Sequence, residues 1–357
     1  MMRMFSILIW CRMFGLLSAF ALLASCSNDL EVNAPPKDVY VIYGILNPQQ
    51  PVQTVRIARA FQTEGNALDY AKANDLSLKG LQVRLRYTPR GSTEERIIEL
   101  TQVDTVREST RFADRLTYYQ TREPIVDGTR YTLEVRRPGE EQLLASAQTT
   151  VPVTPFIRRP SPQLIANPDS DVRGNTESYP YAFFNVNTYA LEITKSRDGL
   201  NEGAAYEMRF FLNYRETPGG PTRELVFGPT PFITASNASC IGTSPDRDIC
   251  YRVGMQVQNF LTSHFANAPG FYDEGIMSQA ARIEVSAVDQ ALYDYIRVNS
   301  PAFVDFTTVR PEYTNISGGL GVFGSTNSNT RYVRLTQCTR YLARLNNTPA
   351  PDTRCPS

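Results

Sequence analysis

The sequence predicts a mainly β protein: an immunoglobulin-like β-sandwich over residues 38–152, then a larger β-sandwich-like domain with two short helices over 179–357. Three observations carry this reading. Short β-rich segments recur, each bounded by Gly, Pro, Asn or Asp. Several of them alternate apolar and polar residues with the period of two that a half-buried strand requires. The chain also lacks the strand–helix–strand rhythm of a parallel α/β sheet.

In the first half, Val39 to Tyr43 is a continuous β-rich run that ends at a turn region over 44–51. Val52 to Ala60 alternates, with Val55 and Ile57 on one face and Thr54 and Arg56 on the other. Gln82 to Tyr87 is the cleanest alternation in the chain, bounded by Gly80 and by Pro89-Arg90-Gly91. Further strands are expected over 97–103, 117–121, 129–136 and 142–150, and residues 66–78 form a helix or a long loop. Pro152, Pro155, Pro160 and Pro162 then crowd together. Proline cannot donate to a sheet ladder and pushes its predecessor into extended geometry, so residues 153–178 read as a linker.

The second half is less regular. Strands are expected over 182–187, 189–195, 205–214, 225–227, 281–287 and 332–342. One helix is expected over 257–265. The other spans 288–299, with Ser286 and Asp289 in capping-box spacing, apolar Leu292, Tyr295 and Ile296, and a stop at Pro301.

The N-terminus carries an export signal. Arg3 and Arg12 supply positive charge, Phe14 to Ala24 form a short apolar core, and Leu23-Ala24-Ser25-Cys26 has the form of a lipobox. Arg12 interrupts the apolar stretch, which is shorter than the ~20 residues that span a bilayer. Residues 1–25 are therefore read as a lipoprotein signal peptide, Cys26 as the lipidated residue and 26–37 as a polar tether. Stable anchoring takes two or more acyl chains, palmitate being one such group. Ser27 after the lipid site is not the Asp of an inner-membrane retention signal. Asp29 and Glu31 place acid near the anchor, which favours the cell surface over the periplasmic face of the outer membrane.

Composition narrows the chemistry. Lys and Arg number 36, as do Asp and Glu; losing Arg3 and Arg12 with the signal leaves 34 against 36. A near-neutral protein lacks the electrostatic drive for wholesale nucleic-acid binding. His264 is the only histidine, which excludes a multi-imidazole metal site and gives a Ser-His-Asp triad only one candidate base. No nucleophile-elbow pattern lies near it. Of six cysteines, Cys11 leaves with the signal and Cys26 takes lipid. Cys240, Cys250, Cys338 and Cys355 remain, an even set that predicts two disulfides in an exported chain. Three connectivities are open, and proximity favours Cys240–Cys250 with Cys338–Cys355. A four-cysteine zinc site is disfavoured by the lack of a C-x-x-C pair. The carboxylate pairs Glu94-Glu95, Glu140-Glu141 and Asp246/Asp248 sit in turn-like, solvated contexts, and no catalytic, cofactor or metal residue is assigned.

Gly319-Leu320-Gly321-Val322-Phe323-Gly324 matches G-x-G-x-x-G letter for letter. Dinucleotide binding also needs a strand before it, a helix after it and an acidic residue about twenty positions on. Arg344 stands there instead, so the segment is read as a turn packed closely beside the strand over 332–342.

The block Asn315 to Gly324, with the helix Asp289 to Ile296 before it, resembles the C-terminal signature of a Bacteroidota outer-membrane lipoprotein family of unknown function. Val39 to Leu46, Gly128 to Val135 and Ala147 to Pro152 resemble its N-terminal half. Members of that family are commonly encoded beside TonB-dependent receptors. The resemblance implies a non-catalytic accessory of TonB-dependent nutrient uptake, partnered by the membrane through its lipid and by such a receptor. It supplies no catalytic residues. The alternatives are a structural or adhesive surface lipoprotein and, less favoured, a surface hydrolase, which would need convergent carboxylates or a nucleophile in a concave site.

Overall fold

The computed structural model describes residues 39–61, 66–106, 115–159, 182–184, 190–194, 203–234, 248–252, 254–267, 270–271, 281–300, 312–335, 337–345 and 348. The signal, the tether and Cys26 lie outside them. The fold is all-β and sandwich-like, as the alternation patterns predict.

Eight strands build most of the first half: β1 (Tyr40–Leu46), β2 (Gln53–Arg59), β3 (Gln82–Tyr87), β4 (Arg96–Val106), β5 (Arg115–Thr121), β6 (Arg130–Arg136), β7 (Leu143–Thr150) and β8 (Phe156–Arg159). Helix α1 (Ala67–Ala73) occupies the ambiguous stretch, capped by the Asn66 side chain, which accepts the Leu68 N–H. Strand β4 bends from one sheet into the other. Its residues 96–100 pair with β3, and residues 101–106 pair with β5. One sheet thus continues through β5, β2 and β1, the other through β3, β6 and β7. Ile42, Val55 and Ile57 from the first and Val83, Leu85, Leu133 and Val135 from the second share one buried core. Two tyrosines close this core without leaving a polar group stranded. Tyr119 Oη donates to the Leu78 carbonyl at 2.9 Å and accepts the Leu81 N–H at 3.1 Å. Tyr131 Oη accepts the Val126 N–H at 2.9 Å, and burial pushes its ionisation up to about 12.

The second half contributes β9 (Ala182–Phe184), β10 (Ala190–Thr194), β11 (Ala205–Tyr214), β12 (Arg223–Phe227), β13 (Asp248–Arg252), α2 (Gly254–His264), β14 (Ala281–Val288), α3 (Gln290–Asn299), β15 (Gly319–Leu335) and α4 (Gln337–Leu342). Strands β12, β11, β14 and β15 are consecutive neighbours, and β8, β10 and β13 form a small separate sheet. Met208, Phe210 and Leu212 of β11 and Ile283 and Val285 of β14 bury one face against Val257 and Leu261 of α2 and Phe265 just after it. Two expectations are corrected. The strand over 332–342 ends at Leu335 and gives way to α4. The cap of α3 is Asp289 itself rather than Ser286, its carboxylate accepting the Leu292 N–H at 3.0 Å.

The largest correction concerns 319–324. That segment is the beginning of β15, not a turn, although its close packing stands. Residues 319–325 run parallel to β1, so the last strand among the described residues becomes the neighbour of the first. Phe323 lies wholly buried in the N-terminal core, with Ile316 beside it. Residues 326–333 then pair antiparallel with β14 in the C-terminal sheet. Gly321 holds φ at +107°, and a Cβ there would strike the Ile42 carbonyl oxygen, so only glycine allows β1 this close.

Candidate functional site

The two faces of the C-terminal half of β15 treat their polar residues differently, and that difference locates the site. Asn327, Asn329 and Arg331 point to the inner face of the C-terminal sheet, towards the proline-rich stretch after β7. Asn327 Nδ2 donates to the Pro152 carbonyl at 3.0 Å, Asn329 Nδ2 to the Pro155 carbonyl at 2.8 Å, and Arg331 Nη2 to the Ile157 carbonyl at 2.9 Å. Prolines leave a segment short of ladder partners, and side-chain donors fill the gap. These residues have structural work.

The joint between the halves is likewise saturated. Asp289 is buried at the N-terminus of α3, where the positive end of the helix dipole favours a carboxylate. Its Oδ1 accepts the N–H groups of Leu292 and Ser325, each at 3.0 Å, and its Oδ2 accepts Thr149 Oγ1 at 2.7 Å. Ser325 Oγ lies 2.8 Å from Thr149 Oγ1 and donates to the Thr150 carbonyl at 3.0 Å. Burial raises the Asp289 carboxyl above its ordinary range. Gly324 leaves room for this joint, since a Cβ there would come within 2.8 Å of Leu292 Cβ. Nearby, Asn315 pairs through its amide with both the N–H and the carbonyl of Phe323, at 3.0 and 2.7 Å. The segments that carry the family resemblance, 289–296 and 315–324, are therefore one packed structural node.

The outer face of the C-terminal sheet is different. There, an open groove of about 670 Å³ is lined only by polar or charged residues. Strand register sets its floor. Arg209, Glu284 and Thr330 form one cross-strand row, and Glu207, Ser286 and Ser328 the next. Neighbouring strands lie ~4.8 Å apart and rows on one face ~7 Å apart. The wall comes from the turn between β1 and β2, through Asn47, Gln49 and Gln50. Gln49 Nε2 fixes that turn by donating to Asn327 Oδ1 at 3.2 Å.

The electrostatics are unbalanced. Arg209 Nη2 reaches Glu207 Oε1 at 3.6 Å, an ion pair too long for a hydrogen bond. Its Nε is buried without a partner. Burial first, and Glu284 in addition, raises the Glu207 carboxyl against the opposing pull of Arg209. Glu284 stands opposite Arg209 in register, yet its carboxylate makes no ion pair or hydrogen bond among the described residues.

A second concavity, of about 720 Å³, lies along β4 near its bend, with Ile97 half-exposed beside Glu99 and Arg122. It mixes apolar and polar walls and has no comparable grid.

The sequence-predicted residues fall elsewhere. Cys26, Cys240 and Cys355 lie outside the described residues. Cys250 falls in β13 and Cys338 in α4, their side chains likewise outside the description. His264 ends α2, with Nε2 2.9 Å from Tyr214 Oη and the ring edge-on to Tyr214 and Phe265. Glu94, Glu95, Glu140 and Glu141 are exposed, as expected, and Asp246 lies outside the described residues. Among the described residues, no group of three or more His, Cys, Asp or Glu could hold a metal ion, and no helix is long and apolar enough to cross a membrane. Glu207 and Glu284 were missed because they lie far apart in sequence. The polar beats of Glu207-Met208-Arg209-Phe210 mark an outward face, but only register pairs them with Glu284.

No curated protein matches the chain. The model of the family described as a domain of unknown function (DUF4249) matches residues 27–332, and the protein belongs to that family.

Proposed function

We propose that this protein is a lipid-anchored outer-membrane protein, displayed at the cell surface, that serves TonB-dependent nutrient uptake as a non-catalytic binding accessory. The observation that carries the reading is Leu23-Ala24-Ser25-Cys26 at the end of a short apolar core. Residues 27–38 separate Cys26 from the folded body, and a stretch of that length spans at most ~40 Å. The body then works within that distance of the bilayer, beside integral receptors. In the oxidising envelope, Cys240, Cys250, Cys338 and Cys355 form two disulfides. The polar groove supports a binding role, because it displays unpaired donors and acceptors on a rigid sheet.

Two measurements test this. Mass spectrometry of the native N-terminal peptide is expected to show a diacylglyceryl thioether and an acyl amide at Cys26. Purification in mild detergent is expected to bring down a TonB-dependent receptor. An unmodified Cys26 or an intact leader overturns the anchoring. A solitary lipoprotein whose deletion leaves growth unchanged on every nutrient overturns the uptake role.

A further inference from the structure

We propose that the groove over β11, β14 and β15 holds a neutral, hydroxyl-rich oligosaccharide edge-on, with Glu284, Arg209 and Glu207 as its principal hydrogen-bonding residues. This deepens the binding reading above and rests on it. The first support is contrast within one strand. Asn327, Asn329 and Arg331 on the inner face all donate to backbone carbonyls. On the outer face Ser286, Ser328, Thr330 and Glu284 make no side-chain hydrogen bond among the described residues, and Arg209 keeps a buried Nε unpaired. A sheet face with this much unused capacity is complementary to a ligand that both donates and accepts.

The second support is the mixture. A carboxylate only accepts, a guanidinium only donates, and hydroxyls and amides do both. Sugar hydroxyls match such a mixture, since each can donate to Glu284 and accept from Arg209 at once. An apolar peptide finds no pocket, because every lining residue is polar or charged. A polyanion meets two carboxylates against one arginine. The lining also holds no aromatic ring, so the sugar lies edge-on rather than stacked.

The third support concerns what happens to the bound chain. Glu207 and Glu284 are diagonal neighbours on adjacent strands and rise from the same floor. Glycosidic cleavage needs two carboxyl groups flanking the bond from opposite sides. The geometry holds a glycan without cutting it.

The test uses the full-length protein in detergent against immobilised neutral oligosaccharides from glucans, mannans, xylans and galactans, with a Lys-rich peptide and a sulfated oligosaccharide as counter-probes. Retention on at least one neutral probe is expected, and Glu284→Ala with Arg209→Met, which leaves net charge unchanged, is expected to weaken it at least tenfold. Ser328→Trp, which fills the floor, is expected to do the same. Unfolding midpoints close to wild type keep these losses specific. No retention of any neutral probe, preference for either counter-probe, variants that bind as wild type, or release of reducing ends each overturns the proposal. The groove variants are expected to leave receptor co-purification intact. A receptor that co-purifies while no sugar binds sinks this inference alone, and sugar binding without a receptor sinks the uptake reading alone.

Discussion

The outer face of β15 is one continuous row of alternate residues with two fates. Val322 and Gly324, in the half beside β1, lie buried, Gly324 directly against Leu292 of α3. Thr326, Ser328 and Thr330, in the half beside β14, line an open groove. The first half serves closeness: glycines let backbone and helix approach. The second half serves display: its inner side chains secure the proline-rich stretch, while Ser328 and Thr330 on the outer face stay uncommitted. The glycine-rich segment 319–324, part of the resemblance read from the sequence, sits on the covered half. The principal candidate binding residues, Glu207, Arg209 and Glu284, sit on the strands that pair beside the bare one. A conspicuous sequence motif can thus mark how a protein is assembled rather than what it does.

Breaking the first half has the largest expected effect. Gly321→Ala places a Cβ on the Ile42 carbonyl at a positive φ, and a cost of about 4 kcal/mol or more is expected, read as a lowered denaturation midpoint with faster hydrogen exchange in β1. Next comes the joint. Asp289→Ala removes the helix cap and strands the Ser325 N–H, and a loss of about 3 kcal/mol is expected in the same assay.

Two carboxylates, Glu134 in the N-terminal sandwich and Glu207 at the groove, should also respond oppositely to acid. Glu134 on β6 is nearly buried among Arg84, Arg86 and Arg136, with the closest contact, Arg84 Nε to Oε2, at 2.8 Å. Burial opposes its ionisation, but these three guanidiniums outweigh that and hold its carboxyl below the usual range. Its contribution is therefore full above the unfolded glutamate value and is lost as pH falls through the depressed folded one. Glu207 is raised, so its ionised form costs stability at neutral pH, and the protein gains as pH falls through the raised value. Glu134→Gln should lower the midpoint at pH 7 by an amount that shrinks on acidification. Glu207→Gln should be neutral or slightly stabilising at pH 7. The smallest outright loss belongs to the second half's inner face. Asn329→Ala removes one hydrogen bond to Pro155 and is expected to cost about 1 kcal/mol, with increased exchange confined to the residues after β7.

Much of the β architecture was legible because period-two alternation is a local signal. Gln82 to Tyr87 and Ala205 to Tyr214 show it plainly, and both are strands. Asn66 to Leu78 was legible only as helix or loop, since its seven-residue helix buries no side chain that would set a period. The segment 319–324 misled for a physical reason. Three glycines in six residues carry poor strand propensity, and their use depends on a partner, β1, that lies almost the whole chain away. The end of the chain misled similarly: Tyr332 to Leu342 holds a strand and a helix with no glycine or proline between them. The groove was the least legible feature. Its floor comes from three strands, and its carboxylates and arginine converge only once register is known.

Hydrogen exchange of the full-length protein, with and without the best-retained neutral oligosaccharide, tests most directly that β15 divides its labour between the two halves. Ligand is expected to slow exchange in residues 205–211, 281–286, 326–332 and the 47–50 turn, leaving 319–325 unchanged. Protection at 319–325, along β4, or nowhere on the C-terminal sheet would contradict it.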